Sequence, residues 1–264
     1  MGRRDHEMTL ILPDTPLALV TDLRQLLGRE KVQHDVPTLT AYAVDASIYR
    51  MTPQAVVLVE TEEDIEAVVR FAGSRGIPLT PRAAGTNLTG SAIGSGIILD
   101  VSRMNRILEL NEEERWARVQ PGIVLAELNK QLGRKQLLFG PDPSSGDMCK
   151  LGGMVANNSA GPHTLIYGAV KDNVRAMRVC LPSGGWLTAA SLRLDDPILA
   201  DTLTTHPALR VILELVQSKR AVIEAKRPTV SKNSCGYNLF GLVDGLAQRR
   251  FDLPKLFVGS EGTL

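Results

Sequence analysis

The sequence predicts an α+β fold, and three observations predict it. Short β-branched runs alternate with an amphipathic helical stretch from Gln54 to Ser102. A strand, a Pro-Gly turn and a helix follow from Arg115, and a hairpin pattern precedes another helical stretch nearer the end. With 264 residues, 44% of them apolar and 22% charged, the chain has the composition of an ordinary globular protein. It is long enough to bury a substantial core as one large domain or two small ones.

From Pro16 to about Arg50 the apolar spacing is helical, with Leu19, Leu23, Leu26 and Leu27 on one face, until "DVPTLTAYAVDASIY" breaks the pattern. Residues 1–53 therefore read as a helical lead-in. "QAVVLVE", from Gln54, has the density of a buried strand. Thr61 stands three residues before Asp64 in a capping-box arrangement, and Ile65, Val68, Val69 and Ala72 continue at helical spacing until Gly76. "IPLTPR" and "GIILDVS" read as strands on either side of a loop. "RWARVQPGIVLAELNKQL" reads as a strand, a turn at Pro121 and Gly122, and a helix carrying Leu125, Leu128 and Leu132. The next stretch, "FGPDPSSGDMCKLGGMVANNSAGPHTLIYG", lacks periodicity, and a long aperiodic segment inside a compact domain is usually functional. "RAMRVCLPSGGWL" reads as a hairpin turning at Pro182 to Gly185, residues 207–226 as helix, and "KLFVGSEGTL" as a final strand.

Charge and cysteine usage exclude several classes. Lys plus Arg (30) nearly equals Asp plus Glu (29), leaving no basic excess to hold a polyanion, so nucleic acid is not an expected partner. Cys149, Cys180 and Cys235 form neither CxxC pairs nor an even framework, which argues against a metal cage or a disulfide scaffold and for reduced thiols. The four histidines, at 6, 34, 163 and 206, lack metal-ligand spacing, so no metal site is expected. Pro13, Asp14 and Pro16 interrupt any secretory core, and no apolar run reaches the roughly 20 residues that span a bilayer. A cytoplasmic location is the expectation.

The loop in "TPRAAGTNLTGSAIGSGIILDVS" is the first candidate site. Gly85 and Gly90 have P-loop spacing, but Ser91-Ala92 stands where Lys-Ser/Thr must be, so the ammonium and the magnesium-binding hydroxyl are missing. Gly90, Gly94 and Gly96 lead into a strand rather than a helix, which argues against a nicotinamide dinucleotide fingerprint. What remains is a turn of small residues whose successive N–H groups can form a nest for phosphate oxygens, with Thr86 and Asn87 as side-chain donors. Taken alone, the loop is more readily a plain strand-joining turn, because glycine turns between strands are common. A second loop, "LGGMVANNSAG", has glycines that allow close backbone approach, and Asn157, Asn158 and Ser159 as polar partners. Two such loops suggest one long polar ligand lying across both, and a dinucleotide has that shape.

Together, "PRAAGTNLTG", "FGPDPSS", "LGGMVANNSAG", "YGAVKDNV" and "VGSEGTL" resemble, in order and spacing, the flavin domain of the vanillyl-alcohol oxidase/para-cresol methylhydroxylase superfamily. The resemblance covers about Gln54 to Leu264. It is nearest to the D-2-hydroxyacid branch: D-lactate dehydrogenases, the glycolate oxidase flavin subunit and D-2-hydroxyglutarate dehydrogenase-like proteins, some fused to iron-sulfur modules.

The resemblance implies a para-cresol methylhydroxylase-type fold of two α+β subdomains, here 54–115 and 116–264, with FAD bound non-covalently between them. By the same resemblance, Pro81, Arg82, Ala83 and Ala84, with Gly85, Thr86, Asn87 and Leu88, hold the pyrophosphate. Pro141, Asp142, Ser144 and Ser145 line the dinucleotide, as do Gly152, Gly153, Ala156, Asn157, Asn158, Ser159 and Gly161. Tyr167, Gly168, Asp172 and Val174 fall in a motif shaping the cofactor wall, and Glu261 and Gly262 close over the adenosine side.

The family usually carries glycines where Ala83 and Ala84 stand, and a small residue where Lys150 stands. Cys149 does not match a covalent attachment position, and a loop histidine such as His163 more often serves local backbone groups. "KNSCGYNL" resembles a segment near the substrate side, with Lys232 and Tyr237 as candidates. The implied activity is oxidation of a D-2-hydroxyacid by hydride transfer to FAD. In relatives the motif "GSEGTL" runs on into a substrate domain, so the chain is expected to be a flavin module without that domain, cut from a longer protein or encoded by a fragment gene. No residue of the chain itself is assigned a catalytic role. An NADPH-dependent reductase on the same fold, and a non-catalytic scaffold subunit for an iron-sulfur partner, are the rival readings.

Overall fold

The computed structural model describes residues 17–230, 233 and 236–263. Its first layer is a four-stranded sheet in the order β1-β2-β4-β3, formed by Val32–Gln33, Ala55–Leu58, Ile97–Asp100 and Leu79–Arg82 respectively. β1 is antiparallel to β2, whereas β2, β4 and β3 run parallel. Parallel strands are covered on both faces, and the sequence meets that demand with unbroken apolar runs. Ala55, Val57, Ile97 and Leu99 face helices α1 (Leu17–Leu27) and α3 (Glu62–Arg75), meeting Leu19, Leu23, Val68 and Ala72. The alternate residues Val56 and Ile98 face Leu39 of α2 (Val36–Tyr42).

The expected lead-in is therefore helix, strand and helix. The break in helical spacing is the start of α2, where the Asp35 carboxylate accepts from Thr38 N and a proline lies in the first turn. The Thr61–Asp64 capping box forms as expected, and Gly76 ends α3 in the left-handed conformation.

A hairpin of β5 (Ile107–Asn111) and β6 (Trp116–Val119), not anticipated on its first arm, leads into α4 (Leu125–Gly133). Leu125, Leu128 and Leu132 bury against this hairpin together with Cys149, Leu151 and Met154. The aperiodic stretch contains two short helices, α5 (Leu151–Ala156) and α6 (Thr164–Tyr167), followed by α7 (Val170–Asn173).

The third layer is an antiparallel sheet of β7 (Ala176–Cys180), β8 (Trp186–Arg193) and β9 (Arg250–Asp252). Against it pack α8 (Pro197–Thr205), α9 (Pro207–Ser218), α11 (Leu239–Ala247) and α12 (Leu253–Phe257), with Phe251 fully buried among them. α10 (Arg220–Ala225) bridges α9 and α11. The final strand expected in "KLFVGSEGTL" is corrected: the strand is β9, and Pro254 opens α12. Proline has no N–H to offer a ladder but suits the first helical turn, and a short apolar run alone does not distinguish the two states.

Candidate functional site

The parallel strands β3 and β4 end side by side, with Arg82 opposite Asp100. The chain then turns through residues 83–91, and the lead-in fixes that turn. The Asp45 carboxylate accepts from Asn87 Nδ2 (3.0 Å), Ala92 N (3.4 Å) and Ser47 N (2.9 Å), while Ala46 N donates to the Gly85 carbonyl (3.0 Å). Asn87 Oδ1 in turn accepts from Thr89 N and Ser91 N, both at 3.0 Å. Arg82 Nη1 donates to the carbonyls of Tyr42, Val44 and Ala92, and its guanidinium lies 4.9 Å from the Tyr42 ring centroid.

Arg82 and Asn87 therefore spend their side chains on loop shape. One N–H of the Asn87 amide is bound to Asp45, which leaves its second N–H as the side-chain donor expected for a ligand. Burial opposes ionisation of Asp45, but the bonds from Ser47, Asn87 and Ala92 outweigh it and hold its carboxyl below the usual value. Among the described residues, the N–H groups of Ala84, Gly85 and Thr86 find no protein acceptor, and Gly85 sits at φ +70°. Half-buried, unpaired, successive donors in a tight turn form an anion nest. Pro81 and Leu88 lie exposed at the two ends.

The second loop abuts the first. Leu151 N donates to Ile123 O (3.0 Å) and Gly152 N to Pro121 O (2.8 Å), seating α5 on the Pro-Gly turn. Lys150 Nζ donates to the Ala83 carbonyl (3.2 Å), and a methyl added at Gly153 would lie 3.5 Å from Ala83 Cβ. The Ala83 methyl thus points at the second loop. Gly259 N and Glu261 N donate to the carbonyls of Val155 (3.0 Å) and Ala156 (2.9 Å) at the end of α5. Gly262 comes near the first loop, so that a methyl added to it would lie 4.0 Å from the Ser91 carbonyl oxygen. Three segments far apart in sequence therefore pack against one another.

Behind them, Asn158 is buried with φ +46°, and its Oδ1 accepts from Lys171 N (3.0 Å). It pins α7. The Ser159 carbonyl accepts from Val170 N, and among the described residues no hydrogen bond engages the side chain of Asn157. Asp142 Oδ1 accepts from His163 N (3.1 Å) and Oδ2 meets His163 Nδ1 at 2.5 Å, which places the ring proton on Nδ1. His163 is thus held by a carboxylate rather than by backbone groups. Gly161 packs so tightly here that an added methyl would fall 1.9 Å from the Asp142 carbonyl oxygen.

Pro141 is buried, Ser144 exposed, and the Ser145 carbonyl accepts from Met148 N and Cys149 N. Tyr167 packs on Gly140, Gly168 N closes α6 on the Thr164 carbonyl, and Val174 joins the core beneath α4. The Asp172 carboxylate accepts from Ala169 N and lies 3.7 Å from Lys255 Nζ. Cys149 is buried, and burial pushes its thiol pKa up, so it is an inert packing residue.

A cavity of about 390 Å³ opens at the strand ends, lined by Tyr42, Arg82, Ala83, Ala84, Asp100 and Lys150 among others. Asp100 is buried and accepts from Tyr42 OH (2.7 Å) and Ser102 N (2.6 Å). Burial and that bond push the Tyr42 phenol well above its usual value. A second cavity of about 600 Å³ lies between α7 and α11 and includes Asn158, Lys171, Tyr237 and Lys255. Tyr237 OH meets Thr263 Oγ1 at 2.5 Å, while Lys232 lies outside the described residues. Among the described residues no cluster of three metal-ligating side chains occurs, and no helix is long and apolar enough to cross a membrane.

Sequence reasoning missed Tyr42, Asp45 and Asp100. Two signals marked them: the Asp45-x-Ser47 spacing of an Asx turn, and an acid closing the apolar run "GIILD".

A family model described as an FAD binding domain matches residues 53–190, just over half the chain. D-2-hydroxyglutarate dehydrogenase of Pseudomonas putida is 34% identical over 250 residues, covering 92% of this chain and 24% of the relative. Glycolate oxidase subunit GlcD of Escherichia coli is 34% identical over 190 residues, covering 70% of this chain and 38% of the relative. The chain thus spans about a quarter of the first relative and well under half of the second. Among solved structures, alkyldihydroxyacetonephosphate synthase superposes with a TM-score of 0.63 at 24% identity, covering 70% of this chain and 37% of that one. p-Cresol methylhydroxylase superposes with 0.56 at 22%, covering 66% and 35%. At these identities the superpositions establish the para-cresol methylhydroxylase-type fold expected from the motifs.

Proposed function

The chain belongs to the FAD binding domain family, and on that premise we propose that it is the cofactor-holding part of a flavin-dependent dehydrogenase or oxidase acting on D-2-hydroxyacids of the lactate, glycolate or 2-hydroxyglutarate class. The observation that carries the reading is the packing of residues 83–91, 150–159 and 259–262 against one another beside the cavity lined by Ala83, Ala84 and Lys150, with successive N–H donors at Ala84, Gly85 and Thr86 that find no acceptor among the described residues. These residues fit a dinucleotide. Ala84, Gly85 and Thr86 offer three successive donors to a diphosphate, Gly152 and Gly153 bring backbone close, and Glu261 and Gly262 close the far end.

Bound FAD supplies the hydride-accepting chemistry, and the protein supplies position and electrostatics. The Arg82 and Asp45 clamps hold the first loop in shape before the cofactor arrives, so little ordering entropy is lost on binding. The Asp142–His163 pair fixes the wall that continues from the second loop. No residue of this chain is assigned substrate recognition or proton removal, and the name of the glycolate oxidase relative, a subunit, supports assembly with another chain, for which an iron-sulfur electron carrier is the proposed partner.

The purified chain, mixed with FAD and desalted, is expected to keep a flavin absorbance band. Acid precipitation then leaves the yellow colour in the supernatant, as non-covalent binding requires. A chain that stays colourless contradicts the reading and favours a scaffold role.

A further inference from the structure

The cavity at the strand ends contains a cation without a counter-charge. Lys150 is half-buried at the start of α5, and among the described residues no carboxylate comes within ion-pair distance of its Nζ. One N–H of its ammonium goes to the Ala83 carbonyl, and Lys150 lines the same cavity as Ala83, Ala84 and Arg82. Among the described residues Arg82 has no carboxylate partner either; its guanidinium is engaged with three carbonyls and the Tyr42 ring. The one acid in the cavity, Asp100, is already engaged by Tyr42 OH and Ser102 N. The cavity therefore holds two cations against one anion, and a half-buried ammonium without an anion is electrostatically unsatisfied. An anion delivered by a ligand satisfies it.

We propose that Lys150 is the charged anchor for the diphosphate of FAD, reaching from the second loop across the Ala83 carbonyl to the nest formed by Ala84, Gly85 and Thr86. The inference rests on the flavin-binding reading above and deepens it by naming the group that selects a diphosphate-bearing flavin. It also gives a role to a half-buried cationic side chain that would otherwise be a burden. Burial lowers the Lys150 pKa, with Asp100 opposing and Arg82 adding to that effect. The ammonium, and the FAD affinity it supports, is therefore lost at a lower pH than for an exposed lysine.

The test compares FAD with riboflavin, which has the same ring and no phosphate, by flavin fluorescence titration of the wild-type chain and of Lys150→Met and Lys150→Arg, at several salt concentrations. Lys150→Met is expected to weaken FAD on the order of tenfold or more, as loss of a charge-assisted contact does. It is also expected to leave riboflavin affinity unchanged and to flatten the salt dependence, while Lys150→Arg recovers most of the FAD affinity. Thermal unfolding of each variant confirms that the fold persists. Equal loss for FAD and riboflavin, or no loss for either, overturns the role of Lys150 while leaving the flavin reading intact. A wild-type chain that binds neither flavin overturns the reading itself, and the inference with it.

Discussion

Gly161→Ala is expected to cost the chain most of its FAD affinity and to lower its melting temperature by several degrees. The added methyl would lie 1.9 Å from the Asp142 carbonyl oxygen and 2.5 Å from Asp142 Oδ1. The closer obstacle is backbone, so it cannot be relieved by a rotamer change. Either residues 140–145 move away from 159–161 or the second loop is displaced, and both movements break the Asp142–His163 tether. Overpacking of this kind costs about 1–3 kcal/mol, and a domain of this size loses roughly 2–4 °C per kcal/mol. Binding suffers more than folding because the displaced segments belong to the proposed cofactor site, whereas the apolar clusters of the parallel sheet and of the antiparallel sheet lie elsewhere. Differential scanning calorimetry and flavin fluorescence titration measure the two effects, and unchanged values of both contradict this placement of Gly161.

Asp45→Ala is the second large effect, and it separates binding from folding more cleanly. Removal of the carboxylate leaves Asn87 Nδ2, Ala92 N and Ser47 N without their acceptor. Each partly buried donor so stranded costs about 1–3 kcal/mol. Loop 83–92, which holds two of the three donors, is free to loosen and let water reach them, so FAD affinity drops by on the order of tenfold or more while the melting temperature falls by less than the summed cost of the three bonds implies. Acid has the same effect on the wild type. The folded-state pKa of Asp45 is held below its ordinary 3.8, so its bonds are intact above that value and are lost as pH falls through the lowered one. Retention of FAD is expected to hold from neutral pH to about pH 4 and to fall below it. Asp45→Ala retaining wild-type affinity contradicts the clamp.

Much of the fold is written locally. The unbroken run at 55–58, the Thr61 cap and the Gly76 stop each act within a few residues, so spacing and chemistry suffice to place them. What the sequence left hidden depends on partners distant in the chain. Asn87 looks like a wholly free donor until Asp45, 42 positions earlier, takes one N–H of its amide. Asp100 looks like the end of a strand until Tyr42 closes over it. The segment 253–257 has strand-like residues, yet burial among β8 and α11 accepts a helix opened by Pro254 equally well. The two glycine-bearing loops were legible as a pair because both need small residues. Their contact, made through Lys150 and the Ala83 carbonyl, is a product of the sheet that carries the first and the turn that seats the second.

The central claim is that the early and middle loops grip one flavin nucleotide together. Amide hydrogen exchange of the chain with and without FAD tests it most directly. Protection is expected to rise in 84–88 and in 152–159 at the same FAD concentration, with α9 (Pro207–Ser218) unchanged. Protection confined to one of the two loops, or spread evenly over the chain, would contradict it.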